Sequence, residues 1–200
     1  YDFSKYFFII MKIIQVNEVK FTETYIEGLF IITPEIFHDN RGYFFESFNN
    51  KNFNQNINNI QFCQDNESKS SKNTLRGLHF QIPPFDQTKL VRVVKGSILD
   101  VVVDLRKNSS TFGKYYSIKL NDKNKNQLLI PKGFAHGFLT LSDECVVNYK
   151  VDNPYSKDHE KGILYSDTDL DINWGVDDDK VIISKKDLIS PNFKELENYF

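Results

Sequence analysis

Short apolar runs separated by turn-forming residues recur along the chain, and this pattern constrains the fold more than any other feature. The breaks between runs carry Gly, Pro, Asn, Asp or Ser, as in Pro83-Pro84 and Asn121-Asp122. The runs occupy residues 29–32, 42–48, 90–94, 97–105, 115–120, 127–130, 138–141 and 146–151. Regularly spaced short strands with turn signals predict a β-sandwich or barrel. The 18 Phe and 10 Tyr agree, because aromatic side chains favour the half-buried surface of a sheet.

Helical periodicity is weak and confined to short segments. Residues 192–200 are expected to form a minor C-terminal helix, since Phe193, Leu196 and Phe200 fall near one helical face. The Asn-rich residues 49–59 are expected to form a loop or a short helix. We find no internal repeat and no linker, so residues 11–200 are predicted to form one domain. Met11 is the only methionine, and residues 1–10 are interpreted as an upstream extension or a remnant of expression.

Composition excludes several classes of protein. The formal net charge is −2, so binding of nucleic acid through a positive field is not expected. No apolar run approaches the roughly 20 residues of a membrane-spanning helix. Two cysteines, Cys63 and Cys145, are too few for a disulfide scaffold and are consistent with a reducing cytoplasm.

The strand predicted at 97–105 carries two carboxylates on a face that also carries apolar residues. Strand alternation places Ile98, Asp100, Val102 and Asp104 on one face. Ile98 and Val102 indicate that this face is at least partly buried. A buried carboxylate needs a hydrogen-bond or charge partner, so we expect a donor opposite Asp100 or Asp104 inside a polar cavity. A wholly solvated face is the alternative.

Two histidines lie in segments that bear turn residues. His79 is a candidate general base, because imidazole titrates near neutral pH. Arg76 and His79 do not share strand parity, but a bulge at Gly77 would turn His79 towards the face of Arg76. His136 follows a predicted tight corner at Pro131 and Gly133. For each histidine a structural role is the alternative.

Together these two segments resemble the cupin pattern of Gly-x-His followed by Pro-x-Gly-x-x-His. The resemblance implies an all-β, cupin-like antiparallel jelly roll, a double-sheet barrel with a cavity at one end. Metal-bearing cupins generally have a His-x-His pair, whereas this chain has His79-Phe80-Gln81. An amide is a poor replacement for imidazole as a transition-metal ligand, so no metal is predicted.

The ordered set of motifs resembles the dTDP-4-dehydrorhamnose 3,5-epimerase family. The matching segments lie at 39–49, 64–68, 75–81, 89–92, 96–106, 131–138, 149–150, 160–163 and 184–187. The resemblance implies a cofactor-independent isomerase that inverts C3 and C5 of dTDP-4-dehydro-6-deoxy-D-glucose, giving dTDP-4-dehydro-L-rhamnose.

The same resemblance assigns catalytic roles. It implies that His79 is the base, that Asp187 orients it and that Tyr149 is the proton donor. Lys89 and Arg76 match positions near the C4 oxygen and the phosphates, where fixed cations stabilise developing negative charge. His136 matches a second site histidine, and Asp100 is expected to support it.

Nucleotide-binding positions also follow from the resemblance. They are Arg41, Glu46, Gln64, Asn66, Glu160 and Lys186. Spacing selects Lys186, although Lys185 stays an alternative. A carboxylate at Glu46 can accept the N–H of a thymine ring. No Gly-rich phosphate loop is present in the sequence, so neither ATP hydrolysis nor NAD use is indicated.

The family resemblance further implies a homodimer with exchange of N-terminal strands. Two other functions stay open at this point. One is a deoxysugar-nucleotide epimerase that inverts a single centre, and the other is a non-catalytic cupin that binds a sugar nucleotide.

Overall fold

The computed structural model describes residues 19–57 and 60–200, which are built mainly from short antiparallel strands. The strands are β1 Lys20–Glu23, β2 Phe30–Thr33, β3 Phe37–Asp39, β4 Gly42–Phe44, β5 Gln64–Ser71, β6 Leu75–Gln81, β7 Lys89–Lys95, β8 Ser97–Asp104, β9 Tyr115–Asn121, β10 Gln127–Ile130, β11 Phe134–Thr140, β12 Glu144–Val151 and β13 Glu160–Gly162. Within the same residues two short α-helices accompany the strands, α1 Asn50–Asn56 and α2 Lys185–Leu188. No helix in these residues is both long and apolar enough to cross a membrane.

Two large sheets and one small hairpin organise these strands. The first sheet has the order β1-β2-β10-β7-β12-β5, and the second has the order β13-β6-β11-β8-β9. Strands β3 and β4 pair with each other in a separate two-stranded sheet. The β-sandwich or barrel predicted from the turn spacing and the antiparallel double sheet implied by the cupin resemblance are both confirmed.

The main core lies between the two large sheets. Val91 and Val93 of β7 pack there against Ile98 and Val102 of β8 and Phe138 of β11. The alternate residues of β8 face the opposite side of the sheet, as strand geometry requires. The alternation predicted for residues 97–105 is therefore correct, and it aims Asp100 at the space between the sheets.

The outer faces of both sheets are also covered. Residues after β13 pack against the second sheet, with Tyr165, Leu170 and Trp174 buried against it. Helix α1 buries Phe53 against the first sheet. Asn49 caps this helix by accepting hydrogen bonds from the backbone of the first turn. The short helix expected within 49–59 is thus present.

Three details differ from the sequence predictions or fall outside them. The minor C-terminal helix is α2, whereas 192–200 contains only a 3₁₀ turn at Phe193–Glu195. Its apolar residues Phe193, Leu196 and Phe200 pack on the second sheet, which an irregular segment does as well as a helix. Strand β5 was not predicted, because its sequence is entirely polar. Met11 and residues 1–10 lie outside the described residues, so their interpretation stays a prediction.

Candidate active site

Two adjoining cavities lie between the sheets, and both are lined by His79, Lys89 and Tyr149. The larger has a volume of about 530 Å³ and the smaller about 290 Å³. Among the predicted site residues, Arg76, His136, Lys186 and Asp187 line the larger cavity. Gln64, Asn66 and Glu160 line the smaller one. A space that joins these groups can hold a ligand with two chemically distinct halves.

A bulge in β6 turns His79 into the larger cavity. The pairing of β6 with β11 shifts between His136 and Phe138, so that His136 lies opposite His79 while Phe138 lies opposite Arg76. Gly77 sits within this shift with a φ of +113°. A Cβ atom there would lie 2.6 Å from the Cα of Gly137, so only glycine fits. The bulge predicted at Gly77 is confirmed, and it brings Arg76 and His79 to one cavity.

Asp187 meets His79 because a capped helix turn holds it. Ser184 caps α2, and its hydroxyl accepts a hydrogen bond from the backbone N–H of Asp187 at 3.1 Å. A 2.7 Å hydrogen bond joins Oδ1 of Asp187 to Nε2 of His79. Burial raises the pKa of Asp187, but the hydrogen bond and charge of His79 outweigh it and hold that pKa below its ordinary value. A carboxylate in this place fixes the imidazole orientation and stabilises the imidazolium.

Lys89, at the start of β7, is a cation that lines both cavities. Its Nζ lies 3.5 Å from the backbone oxygen of His79, which can accept a hydrogen bond from it. Burial lowers the pKa of Lys89 to about 8, against the opposing influence of Asp100 and Glu160. A desolvated ammonium interacts more strongly with a developing oxyanion than one in water does.

Tyr149 projects from β12 on the opposite sheet from His79. Its ring packs against the core between the sheets. Burial raises the pKa of Tyr149, and Glu160 raises it further, while Arg76 has the opposite effect. The phenol therefore keeps its proton at neutral pH and is able to donate it.

Asp100 and His136 form a second histidine–carboxylate pair. Oδ1 of Asp100 lies 2.7 Å from Nε2 of His136, and Asp100 is fully buried. The donor expected opposite Asp100 is therefore His136. Asp104 has a different set of partners, since Arg106, Ser109 and Thr111 all donate hydrogen bonds to it. The solvated-face alternative for these two carboxylates is wrong.

A polar stripe along β5 forms one wall of the site. Its members alternate along the strand and are Gln64, Asn66, Ser68 and Ser70. Ser70 accepts a hydrogen bond from Nε of Arg76 at 3.0 Å, which fixes the guanidinium beside the cavity. Ser68 and Ser70 were not predicted. The alternation of polar residues at 64–70 was the signal that could have identified them.

Glu160 lines the smaller cavity and is hydrogen-bonded to two polar side chains there. It accepts hydrogen bonds from the hydroxyl of Tyr155 at 2.8 Å and from Nζ of Lys186. These bonds hold the pKa of Glu160 below its ordinary value although burial raises it. Tyr155 lines this cavity and was also missed by the sequence reasoning. Lys186 lines the larger cavity, whereas Lys185 lines neither one.

Arg41 and Glu46 lie away from both cavities of their own chain. Arg41 is exposed at the tip of the β3–β4 hairpin, where it pairs with Asp39. Glu46 follows the hairpin and accepts hydrogen bonds from the side chain of Asn49. The structure thus does not bring these two predicted ligand-binding residues to the others.

Within the described residues, no three His, Cys, Asp or Glu side chains are placed to hold a metal ion together. His79 and His136 are each bonded through Nε2 to a carboxylate. Independence from a cofactor stays a prediction.

Residues 23–195 match the family model described as dTDP-4-dehydrorhamnose 3,5-epimerase. The chain belongs to this family. As a member, it is an isomerase of the epimerase type. A relative of the same description from Methanothermobacter thermautotrophicus is 50% identical over 171 residues, which cover 85% of this chain and 92% of the relative.

Solved structures of epimerases are similar over most of the chain. The epimerase of Legionella pneumophila, in complex with dTDP-4-keto-L-rhamnose, superposes with a TM-score of 0.86 and is 40% identical, covering 90% of this chain and 95% of that one. ChmJ, a 3'-monoepimerase of Streptomyces bikiniensis in complex with dTDP-quinovose, has a TM-score of 0.80 and 31% identity, covering 84% and 85% of the two chains. The family and fold predicted from the ordered motifs are confirmed.

Proposed function

We propose that the chain converts dTDP-4-dehydro-6-deoxy-D-glucose to dTDP-4-dehydro-L-rhamnose by inverting C3 and C5. The observation that carries this proposal is that His79 and Tyr149, from opposite sheets, line the same cavities together with Lys89. An imidazole base and a phenol acid on different walls are what inversion through an enolate requires.

The reaction runs through the C4 ketone, which acidifies the hydrogens on both neighbouring carbons. His79 takes a proton from C3 or C5, and the electron pair passes onto the C4 oxygen as an enolate. Lys89 stabilises this oxyanion, and Asp187 stabilises the imidazolium. Tyr149 then returns a proton from the opposite face, which inverts the centre. Tyr149 regains its proton from solvent and His79 releases the one it took.

The nucleotide half of the substrate is assigned to polar groups that line the larger and the smaller cavity. Arg76 and Lys186 supply positive charge for the diphosphate, and Arg can hold phosphate oxygens bidentately. Gln64 and Asn66 supply donors and acceptors in the smaller cavity, where a pyrimidine base would be bound. His136, held by Asp100, contacts the substrate in the larger cavity, and Glu160 contacts it in the smaller one.

We also propose that the chain works as a homodimer in the cytoplasm. Arg41 and Glu46 are predicted nucleotide ligands, yet they lie away from the cavities of their own chain. The β3–β4 hairpin between β2 and α1 is exposed along its whole length and carries the apolar side chains of Phe37 and Phe44 on its surface. A hairpin of this kind suits insertion against a second copy, whose cavity Arg41 and Glu46 would then complete. The free thiols of Cys63 and Cys145 are consistent with a reducing compartment.

Incubation with the 4-keto sugar nucleotide in deuterium oxide tests the function. We expect deuterium at both C3 and C5, with the L-rhamno product identified by NMR. Inversion at one carbon would instead assign a single-centre epimerase, and background labelling would assign a binding protein. Identities of 40–50% to proteins named as 3,5-epimerases, against 31% to the 3'-monoepimerase, favour double inversion.

A further inference from the structure

The β3–β4 hairpin is too small to be stable in one position without contacts to the rest of the protein. Each of its strands has three residues, and neither strand pairs with the large sheets. An isolated two-stranded hairpin is at best marginally stable in water. Within one copy of the chain, residues 37–47 therefore need anchors on the body of the protein if Glu46 is to keep one position.

Lys125 provides one such anchor from the turn between β9 and β10. The residue is only 7% exposed. Nζ donates a hydrogen bond to the hydroxyl of Tyr43 at 2.9 Å and lies 4.4 Å from the centre of that ring. The ring of Phe45 lies 5.9 Å from the same Nζ. In the described part of the chain, these aromatic contacts take the place of an ion pair with a carboxylate.

The turn that carries Lys125 has an unusual backbone conformation that directs this side chain towards the hairpin. Lys125 itself has a φ of +55°, a conformation that residues other than glycine adopt uncommonly. Asn121 accepts hydrogen bonds from the backbone of Lys123 and Asn124, which tightens the turn. A buried cation is costly without compensating contacts, and among the described residues Lys125 finds them in the Tyr43 hydroxyl and the two aromatic rings.

A second anchor contacts the same segment at Ser47, two residues after Phe45. The buried side chain of Gln127 donates a hydrogen bond to the backbone oxygen of Ser47 at 2.8 Å. Lys125 thus contacts Tyr43 and Phe45 on one side of Glu46, and Gln127 contacts Ser47 on the other.

We propose that Lys125 is a positioning residue for nucleotide binding, because it fixes the outgoing strand of the hairpin and thereby sets the position of Glu46. The proposal rests on the proposed function, in which Glu46 completes the nucleotide site of a second copy of the chain. It adds a residue outside both cavities to the determinants of affinity for the thymidine diphosphate half. Since Lys125 touches no reacting atom, it affects binding and leaves the chemical step unchanged.

Measurement of the Kd for dTDP by titration calorimetry on the whole chain tests this role. Lys125→Met keeps an unbranched side chain but removes the charge and the donor, and we expect the Kd to rise about tenfold. Lys123→Met, an exposed lysine of the same turn, is the matched control and should bind dTDP like the wild type. Lys125→Arg should restore most of the affinity, because a guanidinium can also donate to Tyr43 and lie over its ring.

Three further measurements keep the inference open to refutation. The kcat of Lys125→Met should equal that of the wild type while KM rises. Adding Lys125→Met to Glu46→Gln should raise the Kd no further if Lys125 acts only through Glu46. If Lys125→Met does not fold, Tyr43→Phe removes the same hydrogen bond and should show a smaller rise of the same kind.

An unchanged Kd in the folded variant, or a fall in Tm with no change in Kd, would overturn the role of Lys125. Full additivity with Glu46→Gln would overturn its action through Glu46. The binding series does not depend on catalysis. If the wild type binds dTDP but does not epimerise the 4-keto sugar, the proposed function fails while the inference on Lys125 is still decided by its own data.

Discussion

The Nε2 atom of His79 lies 2.7 Å from Oδ1 of Asp187, although 108 positions of sequence separate the two residues. Strand β6 supplies the imidazole and the capped turn of α2 supplies the carboxylate. A parallel bridge between Thr74 and Ile182 aligns the two segments just before these residues. This contact makes the C-terminal segment a part of the site and gives the first prediction.

Replacing Asp187 by asparagine should slow proton exchange at C3 and C5 by about 10³-fold or more, because an amide cannot stabilise the imidazolium and favours the wrong tautomer. Deuterium incorporation into the 4-keto sugar, followed by NMR, measures this loss. Asp177→Asn, at an exposed carboxylate on the surface, serves as the control. An exchange rate like that of the wild type in Asp187→Asn would remove Asp187 from the mechanism.

The activity should decline as the pH rises through the pKa of Lys89. That pKa is lowered to about 8 by burial, so the ammonium proposed to stabilise the enolate loses its proton above this pH. The sign follows because only the charged form attracts the oxyanion. A kcat/KM profile across neutral and alkaline pH measures the decline. The Lys89→Arg variant should be slower, but its activity should not decline at alkaline pH, since a guanidinium stays charged. An unaltered alkaline decline in this variant would mean that another group causes it.

Tyr149→Phe should separate proton removal from inversion. His79 and Lys89 are intact in this variant, so deuterium should still enter the starting sugar. The inverted product should form about 10²- to 10⁴-fold more slowly, the usual contribution of a general acid. NMR distinguishes labelled substrate from labelled product in one sample. Because burial raises the pKa of Tyr149, the wild-type phenol stays protonated through neutral pH. Undiminished inversion in Tyr149→Phe would assign the acid role elsewhere.

Gly77→Ala should destabilise the fold by about 3 kcal/mol, because a Cβ atom would meet the backbone of the neighbouring strand in a left-handed conformation. That atom would also lie 2.7 Å from the backbone oxygen of His136. Gly175→Ala is the matched control: its φ is +69° with no atom within 4 Å, so about 1 kcal/mol is expected. Urea unfolding measures both, and equal losses would mean that the close approach of the strands costs nothing.

Residue patterns along the chain were enough to predict the class of fold and to nominate candidate site residues. Turn residues between short apolar runs predicted a β-sandwich or barrel, and the alternation in 97–105 placed Asp100 on a face that is at least partly buried. Ordered motifs identified the family and brought His79, Lys89, Tyr149 and Asp187 forward as candidates. Local patterns suffice here because a strand's alternation and a glycine's freedom are properties of a few neighbouring residues.

Which of these groups come into contact became clear from the packing of distant segments. Asp187 reaches His79 through a helix turn that no local pattern connects to β6, and β5 joins the first sheet although its sequence is wholly polar. From the sequence Lys125 is indistinguishable from a surface lysine, because its partner Tyr43 lies 82 positions away along the chain. Such contacts depend on packing between segments that are distant in sequence. The spacing of residues within one segment does not show which other segment will pack against it.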